Sequence, residues 1–355
     1  MHRMDKWAED EGLRSPWQFS FRRDRGTVEA AFVLRHVIGQ SRHMGKPMFA
    51  AFIDFKKAYD RVDRTLLWQC LRSLGVPPHG ACINTLQSMY ALVELRIRTQ
   101  GQLGPPFHST SGVKQGDPLS PLLFGLLIDR FQDFMNIRTW EHGNRPGVTV
   151  GGEIVSAILY ADDLVLMANS PTELTQLLRA LDDFSAAIGL HVNTDKSEVV
   201  IFNRTLCDTQ PAHARRWRIA GALLPVKEEF SYLGIHVRDT TMTRCMRKAM
   251  MHAVTKGRAA LFTMMAQARS IRIANPHLLG RLFDAIVEPV MSYGVEVWGP
   301  ESLAWCKGNV GKGEAETVQR LFMRMVLGVG KATPIATMMK DMGRQPIMIR
   351  WLRRV

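Results

Sequence analysis

The segment Tyr160-Ala161-Asp162-Asp163 constrains the possible folds of this chain more than any other, because apolar residues flank it on both sides. Residues 158–159 precede it and residues 164–167 follow it, so we expect two short strands joined by a tight turn that carries both carboxylates. Far upstream, the apolar run of residues 48–53 ends on Asp54. A buried strand that delivers one carboxylate, facing a hairpin that delivers another, can hold two divalent cations for an in-line displacement at phosphorus.

A glycine-containing loop lies between Asp54 and the hairpin, and it reads Gly112-Val113-Lys114-Gln115-Gly116-Asp117-Pro118. Its two glycines permit close backbone approach, Gln115 offers an amide, and a helix is expected to begin at the proline. Such a loop is suited to lie against a bound nucleotide. An isolated Asp-Asp turn or an isolated glycine loop is unspecific. The order of strand, loop with helix, and hairpin is what makes the combination distinctive.

The charge of the chain favours a polyanionic partner. Among 355 residues, 46 are Lys or Arg and 33 are Asp or Glu, which gives a net charge of +13. Nucleic acid is a better candidate than a membrane, because no basic amphipathic anchor is evident. From charge alone, a soluble protein that is merely basic remains the alternative. A chain of 355 residues is long enough for two or three subdomains with a core, and a hydrophobic share of 46% is that of an ordinary globular protein.

The cysteines indicate neither a disulfide framework nor a zinc site. They are scattered, without a Cys-x-x-Cys pair or a Cys/His cluster, so we expect reduced and mostly buried thiols. The longest apolar stretch, residues 119–128, is too short to cross a bilayer, and residues 1–6 lead into no apolar segment. We therefore expect an intracellular protein with no membrane partner and, in a eukaryote, access to the nucleus. The cysteines are Cys70, Cys82, Cys207, Cys245 and Cys306.

The apolar periodicity predicts a mixed chain with its strands concentrated in the middle and a helical end, which is an α+β architecture. One helix is expected to be capped by Thr27 and to carry Phe32 on its apolar face, and another to be capped by Ser170. Further predictions are helices over 65–74, 79–91 and 118–137, a strand over 95–97, a hairpin over 147–155 that turns at Gly151-Gly152, short strands over 190–237, and helices from Thr240 onward.

Further motifs surround the strand that ends on Asp54, the glycine-containing loop and the Asp-Asp hairpin. They are Gln18-Phe19-Ser20-Phe21-Arg22, Ala51 to Asp60, Gly189 to Asn193 with Lys196-Ser197, Phe230 to Gly234, and Ser292 to Trp298. With these motifs the sequence resembles, almost from end to end, the reverse transcriptases of non-LTR (LINE-type) retrotransposons. Group II intron maturases share the Tyr-Ala-Asp-Asp hairpin, but the loop and helix over residues 112–124 are LINE-like.

The resemblance implies a right-hand polymerase fold with an antiparallel palm sheet, partial fingers and a helical thumb. Partial fingers and palm would occupy residues 1–237, and the thumb with a connection region would occupy residues 238–355. The implied activity is RNA-directed DNA synthesis, in which the 3′-OH of a DNA primer on an RNA template attacks a deoxynucleoside triphosphate with the help of two Mg²⁺ ions, or Mn²⁺ in their place. The family's first fingers strands, endonuclease and Cys/His knuckle are not recognised, so we expect a fragment of a longer element. A catalytically silent nucleic-acid-binding remnant is the alternative.

The resemblance also assigns the metal ligands. Asp54 and Asp162 would bind the two Mg²⁺ ions, the Phe55 carbonyl would be a further oxygen ligand, and Asp163 would be the more peripheral carboxylate. Mg²⁺ prefers a few carboxylates together with phosphate oxygens of the substrate, which matches this set.

The nucleotide contacts implied by the resemblance come from several segments. Tyr59 would lie beneath the incoming sugar and exclude a 2′-OH, although a buried aromatic residue is the alternative. Gln115 and Gly116 would contact the nucleotide from their loop. Arg22 would grip the triphosphate with its guanidinium, and a solvated arginine is nearly as good an interpretation. The family usually has glycine where this chain has Ser20.

Proton transfer and nucleic-acid contacts complete the implied site. Lys196 would protonate or neutralise the leaving pyrophosphate, against the alternative of a surface lysine. The segment Tyr232-Leu233-Gly234 would form a turn that grips the primer end, against the alternative of an ordinary buried strand. Basic thumb residues would track the duplex backbone, against the alternative of a solvated helix face. The thumb residues are Arg244, Arg247, Lys248 and Lys256.

Overall fold

The computed structural model describes residues 2–76, 81–142, 145–203, 217–238, 247–305 and 313–354. The chain separates into two compact units, Met1–Glu228 and Glu229–Val355. The boundary expected between residues 237 and 238 concerns functional subdomains, and it stays a prediction.

The first unit mixes helices with short strands, as the α+β prediction requires. Its helices are His2–Asp10 (α1), Thr27–His43 (α2), Arg64–Ser73 (α3), Ala81–Ala91 (α4), Ser120–Ile128 (α5), Arg130–His142 (α6) and Pro171–Ile188 (α7), with a 3₁₀ turn at Tyr59–Arg61. Its strands are Met48–Ile53 (β1), Val93–Leu95 (β2), Arg98–Thr99 (β3), Gln102–Leu103 (β4), Phe107–Ser109 (β5), Val148–Val150 (β6), Glu153–Val155 (β7), Ala157–Tyr160 (β8), Asp163–Ala168 (β9), Glu198–Phe202 (β10), Arg218–Ile219 (β11), Ala222–Leu223 (β12) and Val226–Lys227 (β13).

A five-stranded sheet in the order β13-β10-β1-β9-β8 forms the centre of this unit. Strand β1 pairs antiparallel with β10 on one side and with β9 on the other. All six side chains of β1 are buried, which explains why its sequence is apolar without alternation. The hairpin of β8 and β9 was predicted from the flanking apolar residues, and it is confirmed. The hairpin of β6 and β7, which turns at Gly151-Gly152, is confirmed as well.

Helices α5, α6 and α7 contribute to the core beside the sheet. Phe131 of α6 contacts Phe184 of α7, with 5.3 Å between ring centroids, and it contacts Trp17 at 6.2 Å. Helix α7 begins as predicted, because the Ser170 side chain accepts a hydrogen bond from the Glu173 N–H.

Some local predictions were wrong. The apolar helix expected over 118–137 is interrupted at Asp129, whose buried carboxylate is held by residues outside the helices. Gly26 rather than Thr27 is the N-cap of α2, and Phe32 lies on the exposed side of that helix. The strand expected over 95–97 is found two residues earlier, as β2 at Val93–Leu95. Periodicity does not reveal such shifts, because they depend on tertiary partners.

Helices α3 and α4 lie where they were expected, within two residues at each end. Residues 77–80, which precede α4, fall outside the described residues. Of the five cysteines, Cys70 is half-buried and Cys82 is exposed, so the expectation of mostly buried thiols is wrong for Cys82. Burial raises the pKa of the Cys70 thiol to about 11, which keeps it protonated near neutral pH. The other three cysteines lie outside the described residues.

The second unit is a hairpin followed by helices, which confirms the predicted helical end. Its core includes Arg344, whose guanidinium carbon lies 4.6 Å from the ring centroid of Phe283 and 5.3 Å from that of Phe322. No helix in the described part of the chain is both long and apolar enough to span a membrane. The elements are Glu229–Tyr232 (β14), Ile235–Arg238 (β15), Arg247–Ser270 (α8), Pro276–Leu282 (α9), a π-helical turn at Phe283–Val287, Glu288–Met291 (α10), Val295–Trp305 (α11), Glu314–Leu327 (α12), Ile335–Asp341 (α13) and Ile347–Leu352 (α14).

Candidate active site

Asp54 lies at the end of β1, beside the start of β9. The strand register pairs Ile53 with Leu164, and its continuation by one residue sets Asp54 beside Asp163. Both strands are fixed by burial on both faces, so this register follows from the apolar core. The sequence predicted that a strand-borne carboxylate would face the hairpin, and the register of the sheet brings these residues together.

A turn at residues 193–197 holds Asp54 from the other side. Asn193 donates from its backbone N–H to the Asp54 carbonyl at 2.7 Å, and from Nδ2 to Asp54 Oδ2 at 2.7 Å. The Asp54 N–H donates to Ser197 Oγ at 3.1 Å. The Ser197 hydroxyl in turn donates to the Asn193 carbonyl at 2.8 Å. The sequence motif contained both residues, but it gave no sign that they orient Asp54.

The hairpin loop consists of Ala161 and Asp162, because Tyr160 pairs with Asp163. Ala161 has φ +55°, a left-handed value that residues with a side chain seldom adopt. A positive φ at the first loop residue is typical of a type II′ turn, in which glycine is preferred there. The turn therefore holds both carboxylates at the end of the hairpin, at the cost of local backbone strain.

The carboxylates of the hairpin interact with each other and with Asp54. Loss of surrounding water raises the pKa of Asp162, and the charge of Asp54 raises it further. The pKa of Asp163 is raised to about 6, first by desolvation and then by the charges of Asp162 and Asp54. A carboxyl group whose pKa is raised by neighbouring carboxylates lies close to them, and a cation bound beside these groups would relieve their repulsion.

These residues fit a divalent cation whose remaining ligands come from solvent and substrate. Among the described residues, no three His, Cys, Asp or Glu side chains form a group that could hold a metal ion by themselves. Two carboxylates and a backbone carbonyl would leave positions for water and phosphate oxygens, which is how Mg²⁺ is usually held beside a nucleotide. Phe55, whose carbonyl is the predicted backbone ligand, has a buried side chain and bridges to Val192.

Tyr59 lies near the hairpin and packs against helix α5. Its half-buried ring stacks on Phe124 with 4.7 Å between centroids and an interplanar angle of 21°. Burial raises the pKa of Tyr59 to about 12, with a further contribution from the charge of Asp162. The contact of Tyr59 with the incoming sugar stays a prediction.

The glycine loop packs on the 3₁₀ turn that carries Tyr59. The Val113 N–H donates to the Tyr59 carbonyl at 2.8 Å, and Gln115 Nε2 donates to Asp60 Oδ1 at 2.9 Å. A Cβ on Gly112 would lie 2.7 Å from the Asp60 carbonyl oxygen, so glycine is required there. Gly116 has φ +88° and open space around it. Gln115 is exposed, and its contact with the nucleotide stays a prediction.

Arg22 has a partner that the sequence did not reveal. Its guanidinium forms a two-pronged ion pair with Glu9 of α1, with distances of 2.7 Å from Nε to Oε1 and 2.6 Å from Nη2 to Oε2. Its Nη1 donates to the Ser15 carbonyl at 2.6 Å. The hydrogen bonds from Arg22 lower the pKa of the Glu9 carboxyl. Contact of Arg22 with a triphosphate requires that this pair open.

Lys196 lies in the same turn as Asn193, to whose carbonyl its backbone N–H donates at 3.1 Å. Its side chain is exposed, so the position is compatible both with a role beside the leaving group and with a surface lysine. Asn193 and Ser197 of this turn hold Asp54, so Lys196 between them lies at the edge of the site.

The predicted primer-gripping segment forms the turn of a hairpin in the second unit. Tyr232 ends β14 with a buried side chain, and Leu233 and Gly234 have φ +47° and +79°. Positive φ at both loop residues is typical of a type I′ turn. The Tyr293 hydroxyl donates to the Leu233 carbonyl at 2.7 Å, and its ring lies 3.3 Å from where a Cβ on Gly234 would be.

The basic helix that was predicted as a thumb surface is present as α8. Arg247, Lys248 and Lys256 are exposed on it, and Lys248 forms an ion pair with Glu229. Lys256 lines a cavity of about 470 Å³ together with His252 and Tyr293. Arg244 lies outside the described residues.

The sequence matches the family described as reverse transcriptase (RNA-dependent DNA polymerase) over residues 4–237, well over half of the chain. This chain belongs to the reverse transcriptase family. The right-hand polymerase fold expected from the motifs is the fold of this family, and the expectation is confirmed. Membership also implies that a reverse transcriptase of this kind depends on a divalent metal.

Relatives among curated proteins confirm the resemblance of this reverse transcriptase to those of non-LTR retrotransposons. It is 30% identical over 234 residues to the retrovirus-related Pol polyprotein of the type-2 retrotransposable element R2DM of Drosophila melanogaster, covering 65% of this chain and 21% of the relative. It is 22% identical over 291 residues to the RNA-directed DNA polymerase from the mobile element jockey of Drosophila funebris, covering 80% of this chain and 29% of the relative. The chain thus spans less than a third of either relative. The structure of apo telomerase from Candida tropicalis aligns with 10% identity and a TM-score of 0.48, covering 99% of this chain and 60% of that one.

Proposed function

We propose that this chain is the polymerase part of a non-LTR retrotransposon protein and extends a DNA primer on an RNA template. Its substrates are deoxynucleoside triphosphates, and its products are an extended DNA strand and pyrophosphate. The observation that carries the proposal is the position of Asp54 beside the turn that bears Asp162 and Asp163. Family membership and the net charge of +13 support a nucleic-acid substrate.

Two Mg²⁺ ions held by Asp54, Asp162 and the Phe55 carbonyl would supply the charge that activates the primer 3′-OH and stabilises the leaving pyrophosphate. The chain's own residues orient these groups. The Asn193 amide occupies Asp54 Oδ2 and leaves Oδ1 for a cation. Asp163, at the start of β9, adds negative charge beside Asp162, in the more peripheral role that the sequence predicted.

Tyr59, Gln115, Gly116 and Arg22 position the nucleotide. Tyr59 packs on Phe124, so its ring offers a fixed edge to the sugar and selects deoxyribose over ribose. Gln115 and Gly116 approach from the loop, and opening of the Glu9 pair frees Arg22 for the triphosphate. Lys196 donates a proton to the leaving group, or neutralises its charge, from the turn beside Asp54.

Nucleic-acid binding is assigned to the second unit. The turn at Leu233-Gly234 contacts the primer strand, and Arg247, Lys248 and Lys256 contact backbone phosphates from α8, with Arg244 completing the set in the sequence. These contacts provide affinity, whereas the carboxylates provide chemistry.

Primer extension by the purified full chain tests the function. A DNA primer annealed to an RNA template is incubated with deoxynucleoside triphosphates and Mg²⁺, and the products are resolved by length. Extension that requires the divalent ion is expected. A chain that binds the primer–template but never extends it, with Mg²⁺ or with Mn²⁺, is a silent nucleic-acid-binding remnant, and that outcome contradicts the proposal.

A further inference from the structure

The left-handed backbone of Ala161 needs a structural reason, because it is the residue immediately before Asp162. Its φ of +55° is disfavoured for a residue with a Cβ, and the neighbouring strands alone do not remove that preference. The direction in which Asp162 leaves the hairpin depends on this conformation. Any group that holds Ala161 in place therefore also aims the carboxylate that follows it.

Two buried side chains hold the Ala161 N–H. Ser20 Oγ accepts from it at 2.8 Å, and Gln18 Oε1 accepts from it at 3.1 Å. The relative exposure of Gln18 is 0% and that of Ser20 is 2%, so water does not compete for these bonds. Both acceptors come from a segment far from the hairpin in sequence, so they tie the turn to a separate part of the unit.

The segment that carries these acceptors is itself paired with the hairpin. The Leu159 N–H donates to the Trp17 carbonyl at 2.8 Å, and the Phe19 N–H donates to the Leu159 carbonyl at 2.9 Å. Gln18 thereby forms a parallel bridge with Leu159, at the outer edge of strand β8. This register brings the side chains of Gln18 and Ser20 alongside the loop.

The orientation of the Gln18 amide is fixed by a buried carboxylate. Gln18 Oε1 accepts from the Ser20 N–H at 3.1 Å and from the Ser20 hydroxyl at 2.8 Å, while Nε2 donates to Asp129 Oδ1 at 3.4 Å. Asp129 accepts only, so it selects the amide rotamer in which the oxygen faces the loop. Burial raises the pKa of Asp129, and the charge of Arg14 opposes that rise.

Arg14 anchors the other end of the network. Its Nε donates to Asp129 Oδ2 at 2.9 Å, and both side chains are almost fully buried. A Cβ on Gly125 would lie 2.9 Å from Arg14 Nη2, so helix α5 leaves room for the guanidinium by having glycine there. The break between α5 and α6 at Asp129 is thus part of the same arrangement.

We propose that Gln18 and Ser20 are positioning residues of the active site, which hold Ala161 in its left-handed conformation and so aim Asp162 at the metal position. Arg14 and Asp129 support them by fixing the Gln18 amide. This inference rests on the proposed function for the role of Asp162, but its test does not depend on DNA synthesis. The network, which belongs to the first unit, governs metal affinity, so its test needs no nucleic acid.

The test uses the full chain with Ser20→Ala, which removes one acceptor and no charge. Two quantities are measured without nucleic acid. The first is the rate of hydrogen exchange in peptides that contain Ala161. The second is the Mn²⁺ affinity, measured by water-proton relaxation and taken only from the binding that Asp162→Asn abolishes. We expect faster hydrogen exchange at the hairpin. We also expect the Mn²⁺ affinity to be weaker by about fivefold, which corresponds to the loss of one buried hydrogen bond. Ser156→Ala is the matched control, because Ser156 is a buried serine that donates to the Pro146 carbonyl at the other end of strand β8.

Ala161→Gly identifies the route by which Ser20 acts. Glycine adopts a positive φ without strain, so this change should restore part of the Mn²⁺ affinity that Ser20→Ala loses. Unchanged Mn²⁺ affinity in Ser20→Ala, an equal loss in Ser156→Ala, or no restoration by glycine would each overturn the proposal. So would an unmodified chain without saturable Mn²⁺ binding. If the chain extends no primer but these Mn²⁺ shifts are found, the positioning role stands and the proposed function fails.

Discussion

Asn193 donates a hydrogen bond from Nδ2 to Asp54 Oδ2 at 2.7 Å, so the protein holds one oxygen of the carboxylate that follows β1. The same residue also donates its backbone N–H to the Asp54 carbonyl. Two bonds from one residue fix both the backbone and the side chain of Asp54. An orienting partner of this kind strengthens a metal ligand without touching the metal.

Asn193→Ala should therefore lower the rate of primer extension by roughly tenfold to a hundredfold, the usual cost of removing a partner that orients a metal ligand. The affinity for the primer–template should stay within about twofold, because Asn193 is not among the thumb contacts. Single-turnover extension and a binding titration measure the two effects. Asn169→Ala is the control, since Asn169 donates to the Gly147 carbonyl at the far end of β9. An equal loss of rate in both variants contradicts the role of Asn193.

Tyr59 should control the choice of sugar. Tyr59→Ala removes the ring and should raise ribonucleotide incorporation relative to deoxyribonucleotide, with a loss of about 1–2 kcal/mol in the free energy of unfolding from the lost packing on Phe124. Tyr59→Phe keeps the ring and should keep the selectivity of the unmodified chain. Competition between the two nucleotide types gives the ratio. A ratio that does not differ between Tyr59→Ala and Tyr59→Phe would show that Tyr59 has only a structural role.

The two glycines of the nucleotide loop should respond differently to alanine. Both have positive φ, but only Gly112 lies against backbone, where an added Cβ would come within 2.7 Å of the Asp60 carbonyl oxygen. Gly112→Ala should lower the free energy of unfolding by about 2 kcal/mol or more, because strain and overlap add. Gly116→Ala should cost about 1 kcal/mol from the backbone conformation alone. Urea denaturation measures both, and equal losses would show that the contact with Asp60 is unimportant.

The exposed lysines of α8 should differ in their contribution to nucleic-acid binding. Lys256→Gln should reduce the slope of log affinity against log salt by about one, as expected for one lost phosphate contact. Lys248→Gln should reduce it less, because Glu229 already offsets the charge of Lys248. Binding titrations at several salt concentrations give the slopes. Salt-independent binding by the unmodified chain refutes the assignment of this helix to nucleic acid.

The sequence predicted the parts of the site that depend on local pattern. The apolar runs around residues 160–163 specify a hairpin, and the uninterrupted run of β1 specifies a central strand, so the carboxylates at their ends follow from periodicity and burial. Ser170 was recognised as a helix cap because its contact with Glu173 lies within one turn. Features fixed by neighbours in sequence can therefore be predicted from the sequence alone.

Features fixed by distant partners were not predicted. Nothing near Arg22 in the sequence reveals its pairing with Glu9, and the buried contact of Arg14 with Asp129 joins residues more than a hundred positions apart. The interruption of the apolar helix at Asp129 is invisible to periodicity for the same reason. A buried polar residue within an apolar run was the available signal, since such a residue requires a partner somewhere in the fold.

Asp162→Asn is the sharpest test of the catalytic role of the hairpin carboxylates, because it removes one charge from the turn and keeps the shape of the side chain. We expect primer extension to fall below detection, while the affinity for primer–template matches that of the unmodified chain and the thermal unfolding midpoint is not lowered. Asp183→Asn is the matched control, as Asp183 is an exposed carboxylate on α7 that pairs with Arg138 at 2.6 Å, and it should extend primers normally. Extension by Asp162→Asn at a rate close to that of Asp183→Asn would contradict the claim that these carboxylates carry the chemistry.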